Sequence, residues 1–167
     1  QDCCHQLFPL LRNGSRVVNV GSSSGVLERI QDQDLKSKFA SSGSTLTYEE
    51  LDNLMRDFME AANAGDHVAK GWPDHTYAVS KIGLSALTRI QQQKFSENPD
   101  LKDVVINHVH PGYMSTDLTC HKGPLTIDQG AKSSIFAATL PPDTDVKGQY
   151  IWSDCQILDW VHGPIPA

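Results

Sequence analysis

The residues best suited to chemistry lie in two short segments of this 167-residue chain. Residues 21–25 hold three consecutive serines between two glycines, and Tyr77 and Lys81 lie four residues apart in HTYAVSK. Side chains four apart on a helix share one face. An ammonium beside a phenol favours the phenolate, so a tyrosine placed in this way can exchange a proton as a general acid or base. These two segments are therefore the first candidates for a reaction centre.

The serine cluster follows the apolar run RVVNV and has three interpretations. A flexible linker is disfavoured because a β-branched run typical of buried strands leads directly into it. A nucleophile turn of the form Gly-x-Ser-x-Gly makes Ser23 the attacking residue, with Asp154 or Asp159 and then His162 as its downstream partners. In the third interpretation the strand end offers the hydroxyl of Ser22 to a substrate. The cluster by itself leaves the last two open.

The elements that must position these segments alternate between helix and strand. RVVNV and DVVINHVH are apolar enough for buried strands, and GQYIW predicts a last short strand. Helices are predicted at the start of the chain, from HTYAVSK to about Ser96, and from Thr126 to Leu140. This alternation predicts an α/β fold in which parallel strands are joined by helical crossovers.

A further helix is marked by the capping box Thr47-x-x-Glu50 and by a glycine stop at Gly65. It carries an apolar stripe at helical spacing, which we expect to face the core. The stripe consists of Leu51, Leu54, Met55, Phe58, Met59 and Ala62.

Four motifs occur in an order that is more specific than any one of them: RVVNVGSS, GWPDHTYAVSKIG, NHVHPGYMSTDL and LPPDTDVKGQY. Together they span nearly the whole chain, which resembles the C-terminal part of a short-chain dehydrogenase/reductase, in the carbonyl reductase subgroup. The resemblance implies a Rossmann-like doubly wound parallel sheet. It also implies NADPH-dependent reduction of aldehydes, ketones and quinones to alcohols by hydride transfer. The long separation of Ser22 from Tyr77 matches the subgroup's helical insertion, here at about residues 26–72, which implies a monomer.

The resemblance also implies roles for individual residues. The Ser22 hydroxyl would bind the substrate's carbonyl oxygen, Tyr77 would deliver the proton, and Lys81 would hold the ribose hydroxyls of NADP beside Tyr77. After the second strand, the family's nicotinamide-binding segment falls on Pro111, Gly112, Met114 and Thr116. Tyr113 and the stretch near Trp72 are expected to line the substrate pocket.

Composition excludes several classes of partner. A net charge of -6 with scattered basic residues argues against nucleic acid and against an anionic membrane surface. No apolar stretch reaches the roughly 20 residues of a membrane-spanning helix, and no Cys-x-x-Cys pair occurs among the four cysteines. We therefore expect a cytoplasmic protein that acts on a small molecule. We expect His108 and His110 to point to opposite faces of their strand, and so expect no metal site.

The Gly-rich turn that holds a dinucleotide's pyrophosphate is not found in the chain, which opens at Gln1 without a methionine. We therefore expect residues 1–167 to form a single, incomplete Rossmann-type domain that lacks its N-terminal nucleotide-binding half and binds cofactor poorly alone. Two other functions remain: a serine hydrolase that uses Ser23, and a non-catalytic binding or scaffold fragment.

Overall fold

The computed structural model of the protein describes residues 2–163 and residue 166. In this part of the chain one sheet has the strand order β1-β2-β3-β4, with β1 to β3 parallel and β4 antiparallel to β3. Asn19 lies opposite His108, and His108 lies opposite Tyr150. The strands are β1 Arg16–Val20, β2 Val105–Val109, β3 Tyr150–Ile151 and β4 Ile157–Leu158.

Helices cover both faces of this sheet. The helix α4 packs against β2 with α2 and α3 behind it, whereas α5 packs against β1 and β2. Two apolar clusters result, a large one between the sheet and α2 to α4 and a smaller one under α5. The predicted doubly wound α/β fold is confirmed. The helices are α1 Asp2–Leu7, α2 Gln33–Ala40, α3 Tyr48–Ala64, α4 Thr76–Ser96 and α5 Ile127–Ala138.

The insertion between the two candidate segments is helical, as predicted, and consists mainly of α2 and α3. The capping box of α3 forms in both directions, because Thr47 accepts from the amide of Glu50 and the Glu50 carboxylate accepts from the amide of Thr47 at 2.8 Å. Gly65 ends the helix at a positive φ of 74°. Met59 is 56% exposed, although it was placed in the apolar stripe, and Ala61 is buried instead. A stripe through Leu51, Leu54 and Phe58 continues at Ala61, since the helical period is 3.6 residues.

Two features differ from the predictions for the strands. β1 is only half-buried, and Val20 at its end is 51% exposed, because β1 is the edge strand of the described sheet. The final hairpin adds β4, which was not predicted. β4 has only two residues and Ile157 is exposed, so it shows no apolar alternation. None of the helices in the described ranges is long and apolar enough to span a membrane.

Candidate active site

The serine turn, residues 21–25, follows the carboxyl end of β1, which is the edge where open α/β sheets bind their ligands. The Oγ of Ser22 accepts a hydrogen bond from the amide of Ser24 at 3.1 Å. Two buried aromatic side chains hold the turn from below: the Tyr150 hydroxyl donates to the carbonyl of Ser22, and the Trp160 indole donates to that of Gly25, each at 2.8 Å. A turn tied to the core in this way is not a linker.

Tyr77 and Lys81 lie in the first turns of α4, whose N-cap is His75. The Lys81 ammonium is 5.5 Å from the centre of the Tyr77 ring, so the two side chains share one face, as the spacing predicted. The same ammonium donates a hydrogen bond to the carbonyl of Val20 at 3.0 Å. Tyr77 is 46% exposed, which leaves its phenol open to a ligand at the sheet edge.

Direct packing joins the serine turn to α4. A Cβ placed on Gly25 would lie 3.0 Å from the Cβ and the carbonyl of Lys81, so only glycine lets the two backbones approach so closely. Ser22 and the Tyr77–Lys81 pair are separated by the whole helical insertion in sequence. The contact at Gly25 and the Lys81 hydrogen bond bring them to the same edge of the sheet.

The proline-glycine loop, residues 111–125, follows β2 at the neighbouring strand end. Gly112 has a φ of +87°, and a Cβ there would collide with the side chain of Leu125. The loop folds back on itself, since the amide of Ser115 donates to the carbonyl of Leu125 at 2.8 Å. The Met114 side chain packs against Gly130 at the start of α5, so the loop is held by the core.

The sequence also predicted that Thr116 contacts the nicotinamide and that Tyr113 and the stretch near Trp72 line the substrate pocket. The amide of Thr116 donates to the hydroxyl of Thr119 at 3.0 Å, which begins a short 3-10 turn. Tyr113, which precedes this turn in the sequence, is 51% exposed. Trp72 is buried at 6% exposure, with its ring against Phe39 and Phe58, so it belongs to the insertion's core and does not line an open pocket.

His110, directly after β2, links the serine turn to the proline-glycine loop, and it was not among the site residues predicted from the sequence. Its Nδ1 accepts from the amide of Ser23 at 3.1 Å and from that of Gly112 at 3.4 Å. Its ring centre lies 4.4 Å from that of Trp152. Burial lowers the pKa of His110 below the usual value. Its position next to Pro-Gly at a strand end was the available signal.

The prediction that His108 and His110 face opposite sides of the sheet was wrong. His108 stacks on Tyr150 at 4.6 Å, His110 lies against Trp152, and these two aromatic rings are themselves in contact at 5.7 Å. Residues two apart in a strand share a face. Each imidazole packs on its own aromatic partner, and the described residues contain no cluster of three potential metal ligands.

Comparison with known proteins identifies relatives of the chain. A scan against models of known protein families found no match. The chain is 37% identical to carbonyl reductase (NADPH) 1 of Oryctolagus cuniculus and 36% identical to that of Homo sapiens, over 96% of its length in each case. The chain belongs to the short-chain dehydrogenase/reductase family, in its carbonyl reductase subgroup. It spans 57% of the length of each of these two carbonyl reductases.

Solved structures of reductases share the fold. Salutaridine reductase from Papaver somniferum superposes with a TM-score of 0.77 at 27% identity, over 92% of this chain and 50% of that protein. Menthone neomenthol reductase from Mentha piperita gives 0.69 at 29% identity, over 89% and 45%. The fold of these two reductases is therefore shared by about nine-tenths of this chain.

The hydrolase interpretation finds no support in the contacts of the described residues. The Asp159 carboxylate accepts from the amides of Val161 and His162, in a turn of its own. The Asp154 carboxylate accepts hydrogen bonds from the backbone amide and the side-chain amide of Gln156. Ser23 is joined to a histidine only through its backbone amide, and among the described contacts no histidine accepts from its hydroxyl.

Proposed function

We propose that this chain carries the substrate-binding and proton-transfer part of an NADPH-dependent reductase of aldehydes, ketones or quinones. The observation that carries the proposal is the Lys81 ammonium, which lies beside the Tyr77 ring and is bonded to the carbonyl of Val20 at the end of β1. A cation, an exposed phenol and the serine turn thus lie together at the carboxyl end of β1. The family membership and the carbonyl reductase relatives support the same reaction.

Ser22 and Tyr77 would share the substrate's carbonyl oxygen. The Oγ of Ser22 acts as acceptor for the Ser24 amide, which leaves its own O–H to donate to a ligand. That donor would stabilise the negative charge that develops on the oxygen as hydride reaches the carbon. The Tyr77 phenol would then give its proton to the oxygen, so that the carbonyl becomes an alcohol, and the phenolate would be reprotonated from solvent.

NADPH supplies the hydride, and several residues fit a role in holding it. Lys81 uses one N–H on Val20 and has further donors for the ribose hydroxyls, as expected for an ammonium. Pro111, Gly112, Met114 and Thr116 form the loop that would contact the nicotinamide. The loop is held by its own hydrogen bonds and by the packing of Met114, so it would present a fixed surface to the ring.

We further propose that residues 1–167 form one incomplete Rossmann-type unit, and that a pyrophosphate-binding segment outside these residues pairs along the open edge of β1. The support is that β1 is the edge strand of the described sheet and is half-buried, with Val20 half-exposed. An open strand edge is a template for another strand. A monomeric state in the cytoplasm remains part of this proposal.

The test is NADPH oxidation by the natural full polypeptide with a quinone such as menadione, compared with Tyr77→Phe. We expect turnover to fall by about 10²- to 10⁴-fold, the usual contribution of a positioned acid. Unchanged turnover would overturn the proposal. A fluorophosphonate probe separates the rival: covalent labelling of Ser23 would indicate a hydrolase, and a reductase should remain unlabelled.

A further inference from the structure

We propose that His110 is a positioning residue that joins the serine turn to the proline-glycine loop, and that it does so only as a neutral imidazole. The inference rests on the proposed function for its meaning, because these two segments hold the groups assigned to substrate and cofactor. Its structural content stands on two hydrogen bonds that share one acceptor, Nδ1 of His110.

The geometry fixes the tautomer. The amides of Ser23 and Gly112 are both donors, at 3.1 and 3.4 Å from Nδ1, so this nitrogen must carry a lone pair. In a neutral ring the proton is then on Nε2. The shorter distance makes Ser23 the stronger of the two bonds. Through this one nitrogen, the turn after β1 and the loop after β2 are held at a set separation.

The ring is itself held in place. The backbone amide of His110 donates to the carbonyl of Ile151 at 2.9 Å, and its carbonyl accepts from the Ser133 hydroxyl of α5 at 3.3 Å. The imidazole lies against Trp152 at 4.4 Å between ring centres. Contacts from β3 and the residue after it, and from α5, therefore fix the direction in which Nδ1 points.

Protonation would break the link. An imidazolium carries N–H on both nitrogens, so Nδ1–H would face two amide N–H groups and lose both hydrogen bonds. Burial lowers the pKa of His110, and no charged neighbour contributes to that shift. The elements packed against β2 carry further titratable groups, among them Tyr150 on β3, Lys81 on α4, and Asp128 and Lys132 on α5, and β2 itself carries His108. The linked arrangement is therefore the stable one near neutral pH and opens in acid.

The proposal is tested without any enzyme activity, by nitrogen-15 NMR of the imidazole and by amide hydrogen exchange at Ser23 and Gly112. His110→Asn retains an acceptor, because Oδ1 of Asn occupies nearly the position of Nδ1, whereas His110→Ala removes it. We expect about tenfold faster exchange at Ser23 in His110→Ala, the effect of one lost hydrogen bond, and near-normal exchange in His110→Asn. His162→Ala, the loss of an exposed histidine elsewhere, should change neither amide.

The acid dependence provides the second arm. Compared with His110→Asn at the same pH, the wild-type chain should lose protection of both amides as His110 protonates, and the ratio of the two rates should be flat at higher pH. A proton on Nδ1 at neutral pH, or equal exchange in His110→Ala and His110→Asn, would overturn the inference. If these results hold while Tyr77→Phe leaves turnover unchanged, then the proposed function fails and the positioning role stands.

Discussion

The Lys81 ammonium donates a hydrogen bond to the backbone carbonyl of Val20, 3.0 Å away, and lies 5.5 Å from the centre of the Tyr77 ring. One side chain thus ties the start of α4 to the end of β1 and places a cation beside an exposed phenol. The serine turn also lies directly against Lys81 at Gly25, where an added Cβ would be only 3.0 Å from the Lys81 backbone. Structure and proposed chemistry depend on the same few contacts.

Replacement of Lys81 should separate these two roles. Lys81→Met removes the charge and the hydrogen bond to Val20, so we expect the KM for NADPH to rise and turnover to fall. Because this hydrogen bond is solvent-exposed, its loss should lower the free energy of unfolding by about 1 kcal/mol or less. Lys81→Arg keeps the charge but not the compact donor, and should retain part of the activity. Steady-state kinetics and urea unfolding of the natural polypeptide check both. Full activity in Lys81→Met would contradict the assigned role.

The hydroxyl of Ser22 should matter for turnover more than for folding. Ser22→Ala removes the proposed donor to the substrate oxygen, and loss of one such donor lowers kcat by about 10²- to 10³-fold. Tyr48→Phe, a tyrosine at the start of α3, is the matched control and should leave kcat unchanged. The role would be refuted if Ser22→Ala were as active as the control.

Gly25→Ala should destabilise the chain through steric contact alone. The added Cβ would lie 3.0 Å from the backbone and Cβ of Lys81, which cannot move without displacing α4. We expect a loss of about 1 to 3 kcal/mol in the free energy of unfolding, as for other overpacked sites. Ser23→Ala changes the same turn without adding an atom and should be nearly neutral. Equal urea midpoints for the two variants would show that the packing is looser than the structure indicates.

His108→Leu should stabilise the protein. His108 is fully buried, and neither of its ring nitrogens has a hydrogen-bond partner in the described structure. An apolar side chain of similar size avoids the cost of the unpaired nitrogens, which we place at about 1 kcal/mol or more. Its stacking on Tyr150 is lost, which limits the gain. Urea unfolding at neutral pH checks the sign; a large destabilisation would show that the stacked ring contributes more than its polar atoms cost.

The same histidine predicts acid sensitivity. Burial lowers the pKa of His108 to about 3, against 6.5 for the ordinary group. The unfolded chain therefore binds a proton below pH 6.5 that the folded chain excludes, so the stability falls as pH decreases from 6.5 towards 3. For this one group the slope reaches about 1.4 kcal/mol per pH unit. His108→Leu should reduce the slope by that amount, and an unchanged slope would contradict the buried, neutral state.

Sequence patterns predicted the elements that are long and regular. The stripe of α3, its capping box and the apolar run of β2 each contain their own local signal, and the structure has them at nearly the expected bounds. The two-residue β4 lacks such a signal. Burial was less accessible to sequence, because the half-burial of β1 depends on which strand lies beside it.

By itself, the sequence determined the α/β alternation, the helical spacing of Tyr77 and Lys81 and the family, because periodicity and motif order are written along the chain. Only the tertiary structure decided that Lys81 bonds to Val20 and that His110 joins two strand ends. The residues in these contacts are 61 and 87 positions apart in the sequence, and no local pattern encodes such contacts. They arise because a parallel sheet brings the carboxyl ends of distant strands to one edge.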